Sequence, residues 1–482
     1  MDRVWKALAA RGPPPRTPEY EPLTTEDEAA SLEDSMTLTA YEEEVPFSWM
    51  EYGIFTLLGM SMLWAWYVSH LPKPNNSTRR MLTRNRGLRN MFLAAAPYFF
   101  WRFAGDAWIQ ANFQSLILTA STLVNLSSLL VLSNIQQSAS YPFRINLALL
   151  TNTVVFALLT VSTAVFLDAS AHTYLVFLLA LVVCSSWATG LIQNGAFAFA
   201  GSFGRPEYMQ ALMAGQGIAG VVPAVAQVVS VLLFPPEEQP PMDVGDSPKA
   251  QSSAFYYFLA AVVVSVVTML ALIPLVRRHN QIVEGRMTSR LGESVTSVEE
   301  AERAARKVAS LWQLFQKLPW LASGVALTFA ETMFFPVFTA KIVSVTPDAG
   351  GLLRPAAFIP LAFFFWNLGD LGGKLASAVR LSVQRRPFVL FVLAVARTGL
   401  LALYLLCNIG GRGAVVQSDV FYLLVVQGSF GLTNGWLGSS CIIASGDWVE
   451  EGEREAAAAF MGLCLVLGLA AGSLLSFTIS GI

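Results

Sequence analysis

Eleven stretches of this chain run for about twenty or more residues with few charges, a length that matches the apolar thickness of a bilayer. They lie near 46–66 continued at 90–103, then 108–133, 144–167, 172–201, 207–234, 253–276, 318–343, 356–381, 387–409, 418–446 and 455–480. Lipid offers no hydrogen bond to an exposed peptide group, so such stretches fold as helices whose backbone bonds close internally. Charged residues make up 13% of the 482, where a soluble domain carries about a quarter. The sequence therefore predicts an all-α polytopic membrane protein with 11 transmembrane helices. Secreted, nuclear and cytosolic globular readings are excluded.

Residues 1–45 are polar and acidic, with Glu26-Asp27-Glu28 and Glu42-Glu43-Glu44, and read as a disordered tail without a cleavable signal. The long polar gaps are 67–89 and 277–317. The second carries Arg277, Arg278, Arg286, Arg290, Arg303, Arg306, Lys307 and Lys317. It separates a six-helix bundle over 46–276 from a five-helix bundle over 318–482. Within it, 297–318 has the spacing of a solvated interfacial helix. Basic residues favour the cytosolic side. A cytosolic N-terminus puts Arg144, Arg205, the 277–317 loop, Arg380, Arg385, Arg386 and Arg454 in cytosolic loops. Lys249, Arg354, Arg412 and the acidic run Pro235-Pro236-Glu237-Glu238 then fall on the other face, with the C-terminus lumenal or extracellular.

The four cysteines, Cys184, Cys407, Cys441 and Cys464, lie in apolar stretches, and His70, His172 and His279 are far apart. Apolar packing suits those cysteines better than a metal or disulfide framework. No metal, cofactor or nucleic acid is expected. Gly372-Gly373-Lys374 has Leu368 where a phosphate loop needs glycine and Leu375 where it needs a hydroxyl, so nucleotide binding is rejected. No nucleophile and base stand at catalytic spacing, which argues against an enzyme.

Ionisable groups at membrane depth are costly and mark function by default. Here they are Glu331, Asp370, Lys374, Arg397 and, nearer a span end, Asp447. Asp370 and Lys374 are four apart on one predicted helix and share a face. They form either an ion pair that fixes packing or the lining of a polar path, and Arg397 can join either. Glu331 either snorkels or pairs with Lys341. Glu331, Asp370 and Arg397 are candidates for proton coupling or gating, because few bases stand near the carboxylates in sequence. The amides Gln193, Asn194, Gln216 and Asn367 offer donors and acceptors without charge, which suits a neutral polar ligand such as a nucleobase. Gly215-Gln216-Gly217-Ile218-Ala219-Gly220 reads as close helix packing by small residues.

Ile192-Gln193-Asn194-Gly195, the stretch 203–220 (FGRPEYMQALMAGQGIAG), Trp366-Asn367-Leu368-Gly369-Asp370, Ala396-Arg397-Thr398 and Asn434-Gly435-Trp436-Leu437 together resemble the equilibrative nucleoside transporter family, from about residue 50 to the end. The resemblance extends to fungal intracellular members of that family. The resemblance implies a major-facilitator-like 6+5 bundle, a nucleoside substrate and alternating access. It implies that Gln193 bonds the base and that Asp370, with Asn367 one turn before it, lies near the ribose. Lys374 takes the place of an arginine, keeping the charge and losing the two-pronged contact. It further implies a vacuolar membrane, with the plasma membrane as the alternative, and a protein acting as a monomer in the lipid bilayer.

The family's first span carries Pro-Trp-Asn followed by aromatics. Here Leu63-Trp64-Ala65-Trp66 is separated from Asn90-Met91-Phe92 by a basic insert, 67–89. Removing the insert restores the pattern, with alanine for proline. Trp-Tyr-Val-Ser can be encoded by a sequence holding a splice donor, so the insert reads as a retained intron; the alternative is a true loop before a re-entrant segment. Excision would join Trp66, in the base-stacking place, directly to Asn90. The competing readings are a non-transporting membrane receptor or scaffold, and a major-facilitator-type carrier of another small polar solute. The buried Gln193, Asp370 and Lys374 count against the scaffold, which needs no polar path.

Overall fold

The computed structural model describes residues 46–64, 96–135, 140–165, 167, 169–233, 247–290, 309–347, 350–379 and 381–479. These fold as helices; one isolated bridge, Ile342 to Ile409, is the β-type pairing recorded among them. In the first half α1 spans Trp49–Trp64, α2 Ala96–Arg102, α3 Ala107–Asn134, α4 Tyr141–Val165, α5 Ala171–Ser202, α6 Pro206–Leu233 and α7 Ser247–Arg290. The second half holds α8 Leu311–Lys317, α9 Pro319–Thr332, α10 Phe335–Thr339, α11 Pro355–Ala376, α12 Pro387–Arg397 and α13 Leu401–Tyr404. A π-helix over Phe421–Gly428 leads into α14 Ser429–Ser445, and α15 spans Arg454–Ile479.

The starts of these helices follow from their residues. The Asp106 carboxylate accepts from Trp108 N and Ile109 N at the head of α3, and Ser170 accepts from Thr173 N at the head of α5. Ser310 and Gln313 form a reciprocal capping box on α8. α6, α9, α11 and α12 open on or beside proline, whose missing N–H costs nothing in a first turn.

Among the described residues, seven segments are long and apolar enough to cross a membrane: Tyr141–Val165, Ala171–Ser202, Pro206–Val229, Ala254–Gln281, Pro319–Thr339, Pro387–Tyr404 and Glu451–Ser476. α7 does not stop near 276 but continues to Arg290, so the first residues of the expected central loop are helical. Expected span 318–343 is broken between Thr332 and Phe335, and 418–446 is π-helical for eight residues before it becomes α. The expected first span, the tail, the insert and much of 277–317 lie wholly or partly outside the described residues.

Packing divides along the long axis. One core joins the halves, with Phe197, Phe199, Tyr208 and Leu212 from the first meeting Leu321, Leu437, Ala457 and Met461 from the second. A second core belongs to the first half alone, around Tyr98, Phe113, Phe156, Tyr174 and Phe258. A third belongs to the second half alone, around Phe335, Trp366, Tyr404, Tyr422 and Phe430. The shared core lies toward the end of the bundle where α6 begins beside Arg205, α12 begins beside Arg386 and α15 begins at Arg454. Toward the other end each half is packed on itself.

Small residues set several helix separations. A Cβ on Gly59 would meet Leu212 O at 2.0 Å, and one on Gly215 would meet Thr56 O at 1.9 Å, so α1 and α6 touch backbone to backbone. Gly373, in the stretch rejected above as a phosphate loop, packs in the same way: a Cβ there would meet Leu432 O at 2.1 Å, inside the α11–α14 contact.

Candidate functional site: buried polar groups of the two halves

Gln193 lies on α5 within a continuous buried run from Ala188 to Ala200. Its carboxamide has no hydrogen-bond partner among the described residues, yet its polar atoms are not sealed off. Asn194 beside it is committed. Its Oδ1 accepts from Arg144 Nη1 at 2.5 Å, and its Nδ2 is enclosed without a partner. Arg144 is therefore not a loop residue as expected. It sits in the first turn of α4, buried, and also donates to the Leu132 and Ile135 carbonyls. A charge one turn inside a helix reads as a loop charge when the neighbour that buries it is fifty residues away.

Asp370 and Lys374 pair as their spacing predicts, Nζ to Oδ2 at 2.8 Å, with both side chains under a tenth exposed. The other carboxylate oxygen accepts from Asn434 Nδ2 on α14 at 2.7 Å. Asn434 Oδ1 in turn lies 2.5 Å from the Thr332 hydroxyl at the end of α9. Both Asp370 oxygens are thus occupied, whereas Lys374 Nζ has one acceptor and two further protons to give. Asn434 belongs to one of the stretches that carry the family resemblance, but the sequence reading gave it no role in the site. A mid-span amide is the signal that picked out Gln193, and the same criterion finds Asn434.

Glu331 neither snorkels nor reaches Lys341. Its Oε2 accepts from Arg397 Nη1 at 2.9 Å and its Oε1 from the Thr398 hydroxyl at 2.5 Å. The pair is more deeply buried than Asp370–Lys374, with side chains 1% and 4% exposed. Arg397 also donates to Thr328 O, Phe430 O and the Thr433 hydroxyl, and its guanidinium lies 3.9 Å from the centre of the Phe430 ring. These contacts cover carbonyls where α9 ends and where the π-helix gives way to α14. They tie α9, α12 and α14 together.

Asn367 donates to Phe363 O one turn back on α11, not to Asp370. Gln216 points at Met62 Sδ, 3.9 Å away, a contact between α6 and α1 as its flanking glycines suggested. Asp447 is exposed. Cys407, Cys441 and Cys464 are buried as expected, but Cys184 is exposed on the outer surface of α5. Trp66 and Asn90 lie outside the described residues. Among the described residues no group of three histidine, cysteine or carboxylate side chains is placed to hold a metal ion.

Two buried pairs of the second half, Asp370–Lys374 and Glu331–Arg397, each cancel in charge. Among the described residues the second half thus offers two neutralised pairs and an ammonium with donors to spare, and the first half a free carboxamide, groups suited to an uncharged solute rich in hydroxyls and amides. An ion set against such neutral pairs meets no net opposite charge to offset its desolvation.

Residues 178–480 match the protein family described as "Nucleoside transporter". The chain is 28% identical to nucleoside transporter FUN26 of Saccharomyces cerevisiae over 470 residues, covering 89% of this chain and 83% of that one. It is 26% identical to the human equilibrative nucleoside transporter 1, covering 67% of this chain and 72% of the relative. Among solved structures it resembles the major facilitator fucose transporter FucP, with a TM-score of 0.52 at 12% identity over 89% of this chain and 92% of that one. It also resembles the xylose symporter XylE, with a TM-score of 0.54 at 11% identity over 89% and 88%. The likeness to these two solved structures carries the fold and nothing further.

Proposed function

The chain belongs to the nucleoside transporter family, and we propose that it binds its solute between Gln193 of α5 and the Asp370–Lys374 pair of α11. It is a membrane carrier and not an enzyme. The observation that carries the site is the Gln193 carboxamide, a buried donor and acceptor with no partner among the described residues, in a segment where its neighbour Asn194 is held by Arg144. Gln193 takes the base edge, and the Trp66 ring stacks on the base. Lys374 offers its spare protons to ribose oxygens while Asp370, held by Asn434, orients it. Gln193→Ala is expected to abolish uridine and adenosine uptake into proteoliposomes at normal expression; uptake equal to the parent would remove Gln193 from the site.

Transport is facilitative in this reading. The case for proton coupling rested on carboxylates lacking nearby bases, but Asp370 and Glu331 each have a cation within 3 Å. Uptake should ignore a pH gradient, and accumulation against a nucleoside gradient driven by acid outside would refute this. The finer architecture belongs to the same proposal: eleven spans split six and five, a cytosolic N-terminus and a lumenal C-terminus in the vacuolar membrane, a monomer acting alone. The two halves rock about the site. Excision of 67–89 completes the first span and brings Asn90 beside Trp66.

A further inference from the structure

We propose that Gln210 is a positioning residue for transport, a latch that holds the basic end of the protein closed. The proposal rests on the transport reading but on none of the residues assigned to the base. Gln210 is buried one turn into α6. Its Oε1 accepts from the Tyr52 hydroxyl in the first turn of α1 at 2.6 Å. Its Nε2 donates to Lys374 O in the last turn of α11 at 3.3 Å. One amide therefore spans from the first half of the chain to the second, with a phenol fixing its orientation.

The surroundings show what the bond secures. Two turns further along α6, a Cβ on Gly217 would lie 3.0 to 3.2 Å from Leu371 of α11, so the helices are already in contact there. The shared core lies at this same end of the bundle, and toward the opposite end the halves keep separate cores. If this end is to open, α6 must leave α11, and the Gln210 bond must break. The bond joins neutral groups, so its loss should shift the closed-to-open ratio by about 3–10-fold, without unfolding the protein. The acceptor is the carbonyl of Lys374, whose ammonium pairs with Asp370. Solute engaging that side chain acts on the residue that carries the latch.

Ala214 lies on α6 between Gln210 and Gly217, four residues from one and three from the other, and is buried. The test places a cysteine there, Ala214→Cys, in the full chain in sealed vesicles, and applies a water-soluble maleimide from the basic face. The parent without Ala214→Cys gives the background from Cys184. Gln210→Met keeps the length of the side chain and removes both hydrogen bonds. It should raise the labelling rate about 3–10-fold. Tyr52→Phe removes one hydroxyl and should move it in the same direction by less, which covers the case of a Gln210→Met protein that fails to fold. In zero-trans uridine flux the ratio of half-saturation constants in the two directions should shift by a similar factor. A merely damaged protein would lower both maximal rates and leave that ratio alone. Unchanged labelling in both variants, or labelling already as fast with Gln210 present, would overturn the latch. Labelling needs no transported solute, so a chain that labels as expected but moves no nucleoside would sink the transport reading and spare the latch.

Discussion

Arg397→Met isolates the worth of the most deeply buried charge pair in the second half. The substitution keeps much of the side-chain volume and leaves Glu331 charged, 4% exposed, with one neutral hydroxyl from Thr398 to answer it. Because both partners are shielded from water, no allowance for solvent screening applies, and removing one should cost about 3–5 kcal/mol. Glu331→Leu alone should cost about as much, for the same reason in reverse. The double variant should not cost the sum. Thr328 O keeps the Thr332 hydroxyl and Phe430 O keeps the Thr433 hydroxyl, so neither carbonyl is stranded when the guanidinium goes. What remains lost is the Arg397 stack on Phe430, roughly 1–2 kcal/mol in a dry site. Equilibrium unfolding in mixed micelles, followed by tryptophan fluorescence, measures all three. A double variant within about 2 kcal/mol of the parent, against single losses that add to roughly 6–10, supports a packing clamp. A single variant as stable as the parent, or a double variant that costs the full sum, would refute the reasoning.

Lys374→Ala should leave Asp370 as an unpaired buried carboxylate and cut nucleoside uptake at least tenfold, while Lys374→Arg should retain it; uptake kinetics at matched expression compare the two. Asn434→Ala strands Asp370 Oδ1 and should cost about 1–3 kcal/mol, read as a lowered midpoint in thermal unfolding in micelles and a raised half-saturation constant for uridine. Gly435→Ala drives a methyl toward Asp370 O, 1.9 Å from the ideal Cβ position. It should lower the yield of folded protein by an overpacking penalty of about 1–3 kcal/mol or more. Sequenced cDNA from the transcript should lack codons 67–89; messages that mostly retain them would end the intron proposal.

Local spacing made part of this site legible. Asp370 and Lys374 are one turn apart, so a helix assignment alone predicts that they meet. Glu331 and Arg397 are 66 residues apart, and no single-helix pattern says that α9 and α12 present them to each other. Apolar length announced the helices but not their irregularities. Pro336 marks the break after α9 in retrospect, whereas Phe421–Gly428 contains no residue that demands a π-helix. Arg144 was misjudged because the charge count of a loop ignores what packs on the first turn of the following helix. Gln193 stood out in the sequence as an amide in mid-span, whereas its lack of a partner among the described residues is a fact of packing that only coordinates supply.

At four glycines of the α11–α14 contact the two backbones meet with no side chain between them. Cβ atoms on Gly431 and Gly435 would strike the carbonyls of Trp366 and Asp370, and those on Gly369 and Gly373 would strike Gly428 and Leu432. The position of Asp370 along the bundle is therefore set by main-chain atoms of two helices, whatever amino acids point into the path. If Lys374 lies in the solute site as proposed, solute preference can drift in such a frame by its exchange, while the scaffold that presents it stays put. The glycines themselves have almost no freedom to change, because a Cβ on any of the four would meet main-chain atoms of the facing helix. Inherited variation that alters selectivity should gather on the path-facing residues of α11, and variation that abolishes the protein should gather on its glycines.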